Sequence, residues 1–135
     1  MNNLEQLKNL NLLYVEDDKI VQESYSDIFG NFFSNIHIAN NGVEALRIFE
    51  NSKIDIIITD IKMPLMDGIE LVKIIRATNE KIPIIITSSY AEREFLLEAV
   101  KLKLVDFLIK PASYKTIKNA LEESAKAFDP IKINT

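Results

Sequence analysis

Polar side chains with complementary chemistry stand directly behind four apolar runs of the chain. The run LLYV, residues 12–15, stops at Glu16, Asp17 and Asp18, and the run 54–59 stops at Asp60 in ITDIKMP. The run 82–87 leads into the hydroxyls of Thr87, Ser88 and Ser89, and the run 105–109 into Lys110 and Pro111. Carboxylates brought within a few ångströms raise one another's pKa unless something compensates. A hard divalent cation compensates well. Magnesium takes oxygen ligands, keeps several waters, and uses one or two carboxylates together with phosphate oxygens. A lysine adds a point charge for a phosphate, and a hydroxyl can donate to an oxyanion. Such a set suits phosphoryl transfer, where catalysis is mostly positioning and charge neutralisation. Asp60 is then the nucleophile, because a carboxylate can take a phosphoryl group as an acyl phosphate.

These residues meet only if the apolar runs lie side by side in one direction. IDIIIT and IPIIIT are β-branched almost throughout, which predicts strands buried on both faces of a parallel sheet. The run 36–39 alternates, as an edge strand does, and puts His37 on its polar phase at the surface. Helical stripes separate the runs. Residues 19–33 carry Val21, Tyr25, Ile28 and Phe32; residues 43–50 carry Ala45, Leu46 and Phe49; residues 68–77 carry Ile69, Val72 and Ile75. Residues 91–102 carry Phe95, Leu96, Ala99 and Val100, and residues 113–128 carry Ile117, Ala120, Leu121 and Phe128. Asp18 and Ser113 are expected as helix N-caps, Asn41-Gly42 as a tight turn, and Tyr14 as core. Five β-α units imply an α/β fold, a doubly wound parallel sheet with helices on both faces. Ligands of open α/β sheets bind outside the carboxyl ends of the strands, where all the polar groups named above would gather.

Composition narrows the remaining choices. The chain has 135 residues, 47% of them apolar, which suits one domain with one core. A net charge of −4 gives no reason to expect direct nucleic-acid binding. The absence of cysteine excludes disulfides, thiolate catalysis and zinc-thiolate sites. MNNLEQLKN has no signal-peptide core, and no apolar run approaches the ~18 residues of a membrane span. A cytoplasmic protein without membrane contact is expected.

With these residues in place, the chain resembles the receiver domain of two-component response regulators. The resemblance rests on Glu16-Asp17 in YVEDD, ANNGVEAL at 39–46, Asp60 in TDIKMPLMDG, Ser88 in ITSSY, and Lys110-Pro111 in FLIKP. It covers about residues 9–128 of a single domain spanning 1–135, with 129–135 as a tail. It implies a flavodoxin-like (βα)5 fold with five parallel strands in the order 2-1-3-4-5. It also implies that Asp60 accepts a phosphoryl group from a sensor histidine kinase or a phosphotransfer protein. Mg2+, with Mn2+ as a possible substitute, would be held by Asp17, Glu16, Asp60 and the backbone carbonyl of Lys62. Lys110 would pair with the phosphoryl group, and its bond to Pro111 would be cis.

The family's switching hydroxyl lies five residues after the proline that opens the strand, here Pro83. That selects Ser88, and strand alternation allows only one of Thr87 and Ser88 to face the site. The switch aromatic, three residues before the lysine, is Phe107. Phosphorylation would reshape the face built from the fourth helix, fifth strand and fifth helix, which would bind an output partner or attached domain, with a homodimer as another use. Lys62 and Tyr90 occupy the positions that tune phosphoryl lifetime, and their bulk predicts slow self-dephosphorylation. Beyond promoting its own phosphorylation and hydrolysis, such a domain is not an enzyme. Two departures bear on the output face. Lys103 and Leu104 stand where a glycine and a small residue are usual, and Ala112 stands where a bulky aliphatic often follows the proline.

Three rival functions fit less well. Haloacid-dehalogenase-like phosphohydrolases need an aspartate two residues after the nucleophile, and Lys62 stands there. A flavodoxin-like cofactor binder needs a phosphate loop after the first strand, where EDD repels phosphate. A phosphorylation-independent receiver-like binding module would not need the full set of site residues. No effector domain follows residue 128 in this sequence, so either a free receiver or one cut from a longer protein is expected.

Overall fold

The two isoleucine-rich runs become the central strands of a parallel sheet, β3 (Ile56–Asp60) and β4 (Ile84–Ser88), with every residue buried. Around them lie β1 (Asn11–Val15), β2 (Asn35–Ala39) and β5 (Asp106–Ile109), in the order β2-β1-β3-β4-β5. The computed structural model describes residues 3–89 and 93–128, the side chains of 3 and 93–96 excepted. The helices are α1 (Lys19–Phe29), α2 (Gly42–Asn51), α3 (Gly68–Thr78), α4 (Arg93–Val100) and α5 (Tyr114–Ala125).

Alternation divides the core between the two sheet faces. Leu12, Tyr14, Ile56, Ile58, Ile85 and Leu108 pack with Phe29 of α1 and Leu121 of α5. Leu13, Val15, Ile57, Ile84 and Ile86 pack with Ala45 of α2 and Leu71 and Ile75 of α3. Tyr14 is 1% exposed and meets Phe29 edge-on, with ring centroids 5.0 Å apart.

The chain departs from expectation at several places, each for a local reason. A 3₁₀ helix, Asn3–Asn9, precedes β1, and its Leu4 and Leu7 are buried in the α5-side core. Residues three apart eclipse on a three-residue turn, so two leucines in a polar stretch suffice to dock it. α1 stops at Phe29, with Gly30 as its C-cap, although Phe32 and Phe33 are still buried. Its inward stripe runs through Gln22 and Phe29, one position on from Val21. Asn41 makes no tight turn: it is extended, φ −164°, and its side chain N-caps α2 by accepting from the Glu44 N–H. Gly42 has no positive φ; it is required because a Cβ there would lie 2.6 Å from the Met66 carbonyl oxygen. On the edge strand β2, His37 is half-buried and Ile38 is exposed, reversing the expected phase. On α4, Ala99 faces the core but Val100 is 79% exposed. α5 yields to a 3₁₀ turn at Lys126–Phe128, and Ser113 caps its start as expected. Residues 90–92 and 129–135 lie outside the described residues.

The missing glycine after α4 has a structural substitute. Lys103 adopts φ 57°, the left-handed conformation usually left to glycine. Arg76 of α3 donates from Nε to the Leu102 carbonyl (2.7 Å) and from Nη2 to the Lys103 carbonyl (3.1 Å), satisfying groups that a helix end leaves open. Lys103→Gly is expected to stabilise the fold by about 1 kcal/mol, the left-handed penalty of an L-residue. A urea midpoint at or below that of the unaltered protein would contradict this.

Candidate functional site

Each polar residue is delivered by the end of a strand and fixed by backbone contacts. The Glu16 N–H continues the β1 ladder by donating to the Ala39 carbonyl (3.0 Å). Its own carbonyl accepts from Gln22 Nε2 (2.8 Å), and its Oε2 accepts from the Asp18 N–H (3.2 Å). Asp18 caps α1 as expected, accepting from the Ile20 and Val21 amides. Asp60 ends β3, and its Oδ1 accepts from the Ile61 N–H (2.9 Å). The loop that follows returns tightly. The Gly68 N–H donates to the Ile61 carbonyl at 2.7 Å, and a Cβ on Gly68 would overlap the Asp60 carbonyl. Directly after β5, the Lys110 N–H donates to the Ser88 carbonyl, and the Lys110–Pro111 peptide is cis. The Ala112 N–H donates to the Tyr25 hydroxyl (3.0 Å), which ties the loop after Lys110 to α1.

The side chains converge. Lys110 Nζ lies 2.7 Å from Glu16 Oε1 and 3.5 Å from Asp60 Oδ2. Glu16, Asp17 and Asp60 each offer an oxygen within 4.8 Å of the others. Glu16 and Asp60 are buried, 1% and 8% exposed, while Asp17 faces solvent. Lys110 therefore contacts two of these carboxylates, Glu16 more closely than Asp60. Asp60 is left under-compensated. Burial first, then the Glu16 charge, push its carboxyl up to about 6, against the opposing pull of Lys110 and the Ile61 amide. Burial pulls the Lys110 ammonium down, but the Glu16 and Asp60 carboxylates outweigh it and hold it above the ordinary lysine value. An all-oxygen donor set with excess negative charge and one solvent-facing carboxylate fits a hard divalent cation that keeps water ligands.

The two hydroxyls sort differently from the alternation expected. Register sets Thr87 directly opposite Asp60, and Ser88 opposite Ile109. Cross-strand partners share a face, so Thr87 takes the Asp60 face. Ser88 shares the other face with Phe107, which pairs with Ile86. Alternation therefore does not select Ser88, whose assignment rests on its spacing from Pro83. Both hydroxyl residues are buried, 2% and 3% exposed. Phe107 lines a cavity of about 370 Å³ together with Ala99, Val100, Lys103, Leu104 and Asp106. Lys62 is exposed beside Asp60, and Tyr90 lies outside the described residues. Gln22 and Tyr25 were not anticipated as supports of the site. A glutamine on the inward phase of an amphipathic helix is the signal that could have revealed the first.

Residues 12–122 match the family model described as response regulator receiver domain. The chain belongs to this family. It is 32% identical over 116 residues to the transcriptional regulatory protein ZraR of Escherichia coli, covering 86% of this chain and 26% of ZraR. It is 30% identical over 119 residues to the chemotaxis protein CheY-3 of Vibrio cholerae, covering 86% of this chain and 92% of that protein. Among solved structures, the N-terminal domain of an uncharacterized protein from Wolinella succinogenes superposes with a TM-score of 0.81 at 33% identity, covering 93% of this chain and 98% of that one. The chain thus spans about a quarter of ZraR and nearly all of CheY-3. The receiver's sheet order, β2-β1-β3-β4-β5, is the flavodoxin-like order expected from the resemblance. Among the described residues, no helix of the receiver is long and apolar enough to cross a membrane.

Proposed function

We propose that this receiver is a phosphorylation-dependent switch in which Asp60 takes a phosphoryl group from the phosphohistidine of a sensor histidine kinase or a phosphotransfer protein. The observation that carries this reading is the buried Asp60 carboxylate beside Glu16 and Lys110 at the carboxyl end of the sheet. An Asp60 oxygen attacks phosphorus, the new O–P bond forms, and the P–N bond to the donor histidine breaks with its electron pair leaving on the imidazole. With its pKa near 6, Asp60 is mostly ionised above neutral pH and ready as the nucleophile. Lys110 is near enough to both acids to follow the negative charge as it moves onto the phosphoryl oxygens. Glu16, Asp17, Asp60 and the Lys62 backbone carbonyl would hold Mg2+, or Mn2+ in its place. Bound there, the ion supplies charge neutralisation for the carboxylates and the incoming phosphate.

Ser88 and Phe107 form the switch in this reading, supported by the sheet face they share and by the cavity beside Phe107. The event is a local change of charge biasing a bistable element. The receiver then controls an output partner, an attached domain or a second copy through the face made by α4, β5 and α5. Lys62, exposed beside Asp60, shields the acyl phosphate in this reading, so its half-life in Mg2+ should be minutes or longer; a half-life of seconds would contradict that role. Exposed Leu97 and Val100 on α4, the second lining the cavity, favour the competing reading, a binding module indifferent to phosphate. Amide NMR separates the two. Mg2+ with beryllofluoride, a phosphoryl mimic, should shift Ser88, Phe107 and residues 101–105 as well as the acidic rim. Shifts confined to residues 16–18 and 60–62 would leave the binding module as the better reading.

A further inference from the structure

Among the described residues, Thr87 Oγ1 is a buried hydroxyl without a hydrogen-bond partner. A buried, unpaired hydroxyl is destabilising, and valine would fill the same volume without that cost. The hydroxyl stands where it can have a use. Thr87 pairs in register with Asp60, on the sheet face that also carries Leu108. At rest, Asp60 has the Ile61 amide on Oδ1 and Lys110 3.5 Å from Oδ2, with Glu16 holding the same ammonium more closely.

We propose that Thr87 is a positioning residue whose idle hydroxyl donates a hydrogen bond to the Asp60 carboxyl group once that group carries a phosphoryl group. This rests on the phosphoacceptor reading above. Phosphorylation turns one Asp60 oxygen into the bridging oxygen of the acyl phosphate and leaves the other as an acyl carbonyl, while Lys110 is drawn toward the new phosphoryl charge. The acyl group then needs a neutral donor from the β4 side, and Thr87 supplies it without giving up its proton. The role is distinct from that of Ser88, which lies on the opposite face beside Phe107.

Beryllofluoride affinity at saturating Mg2+, measured by titration calorimetry, tests this with urea unfolding in the absence of both. Thr87→Val is expected to keep or raise the unliganded urea midpoint yet bind beryllofluoride about tenfold more weakly, the effect of one lost hydrogen bond. Thr87→Ser, which keeps the hydroxyl, should bind close to the unaltered protein. Unchanged affinity in Thr87→Val would overturn the proposal. So would a serine variant as weak as the valine one, or an unliganded midpoint lowered by valine, which would show the hydroxyl already paired at rest. If the unaltered protein binds no beryllofluoride, the phosphoacceptor reading fails first and takes this proposal with it.

Discussion

Lys110→Met is expected to lower the unfolding free energy by about 3–5 kcal/mol at pH 7.5, the usual cost of removing one partner from a buried ion pair. Methionine matches the length of the lysine stem but leaves Glu16, 1% exposed, without the ammonium 2.7 Å away. It also removes the group that holds Asp60 down. The deficit should shrink in acid. Carboxyl groups stranded in the folded state take up protons more readily than the same groups in the unfolded chain, and stability then falls as pH rises. Mg2+ should restore part of the loss by supplying the missing positive charge. Urea unfolding at pH 7.5 and pH 4.5 measures both effects. A loss below about 1 kcal/mol, or one independent of pH, would mean that the pair is too hydrated to matter.

Asp60→Asn should act in the opposite direction. The Asp60 carboxyl titrates near 6 in the folded protein against an ordinary value of 3.8. Between those values the folded state binds a proton that the unfolded state has lost, so stability falls as pH rises through the interval. Above about 6 the cost is fully present. Asparagine removes the charge and keeps the shape. With roughly 1.4 kcal/mol per pKa unit, discounted for the charge shared among Glu16, Lys110 and Asp60, the variant should be more stable by about 2 kcal/mol at pH 7.5. The advantage should vanish below about pH 4. Urea midpoints across pH 4 to 8 are the check, and an asparagine variant no more stable at pH 7.5 would contradict the electrostatic picture. Mg2+ should stabilise the unaltered protein more than the variant, because only the former has the Asp60 charge to neutralise.

The parts of the molecule legible in the sequence are those where one strong local preference decides the outcome. IDIIIT and IPIIIT carry too many β-branched residues for anything but doubly buried strands, and β3 and β4 are buried throughout. Once those strands run parallel, the acids and the lysine behind their runs must share a rim, and Lys110 indeed contacts Glu16 and Asp60 there. Asp18 and Ser113 were readable as caps because a short polar side chain before an amphipathic stripe has few other uses.

The less legible features depend on partners distant in the chain. Gln22 lies on the inward phase of α1, but the Glu16 carbonyl and Asn40 that accept its amide belong to other segments of the chain. Lys103 tolerates a left-handed backbone where Arg76, on another helix, reaches the carbonyls beside it. Leu4 and Leu7 look unremarkable in a polar segment until α5 supplies a surface for them. Thr87 and Ser88 are adjacent hydroxyls, and which one faces Asp60 depends on a one-residue register that apolar runs of even composition leave open.

The central claim is that Asp60 is a magnesium-assisted phosphoacceptor, and intact mass spectrometry after incubation with acetyl phosphate tests it most directly. The protein and its Asp60→Asn variant would be incubated with and without Mg2+. The expected result is the mass of one phosphoryl group gained by the unaltered protein in Mg2+, little gained without it, and none gained by the variant. Equal gain in both proteins, or no gain by the unaltered protein in Mg2+, would contradict the claim.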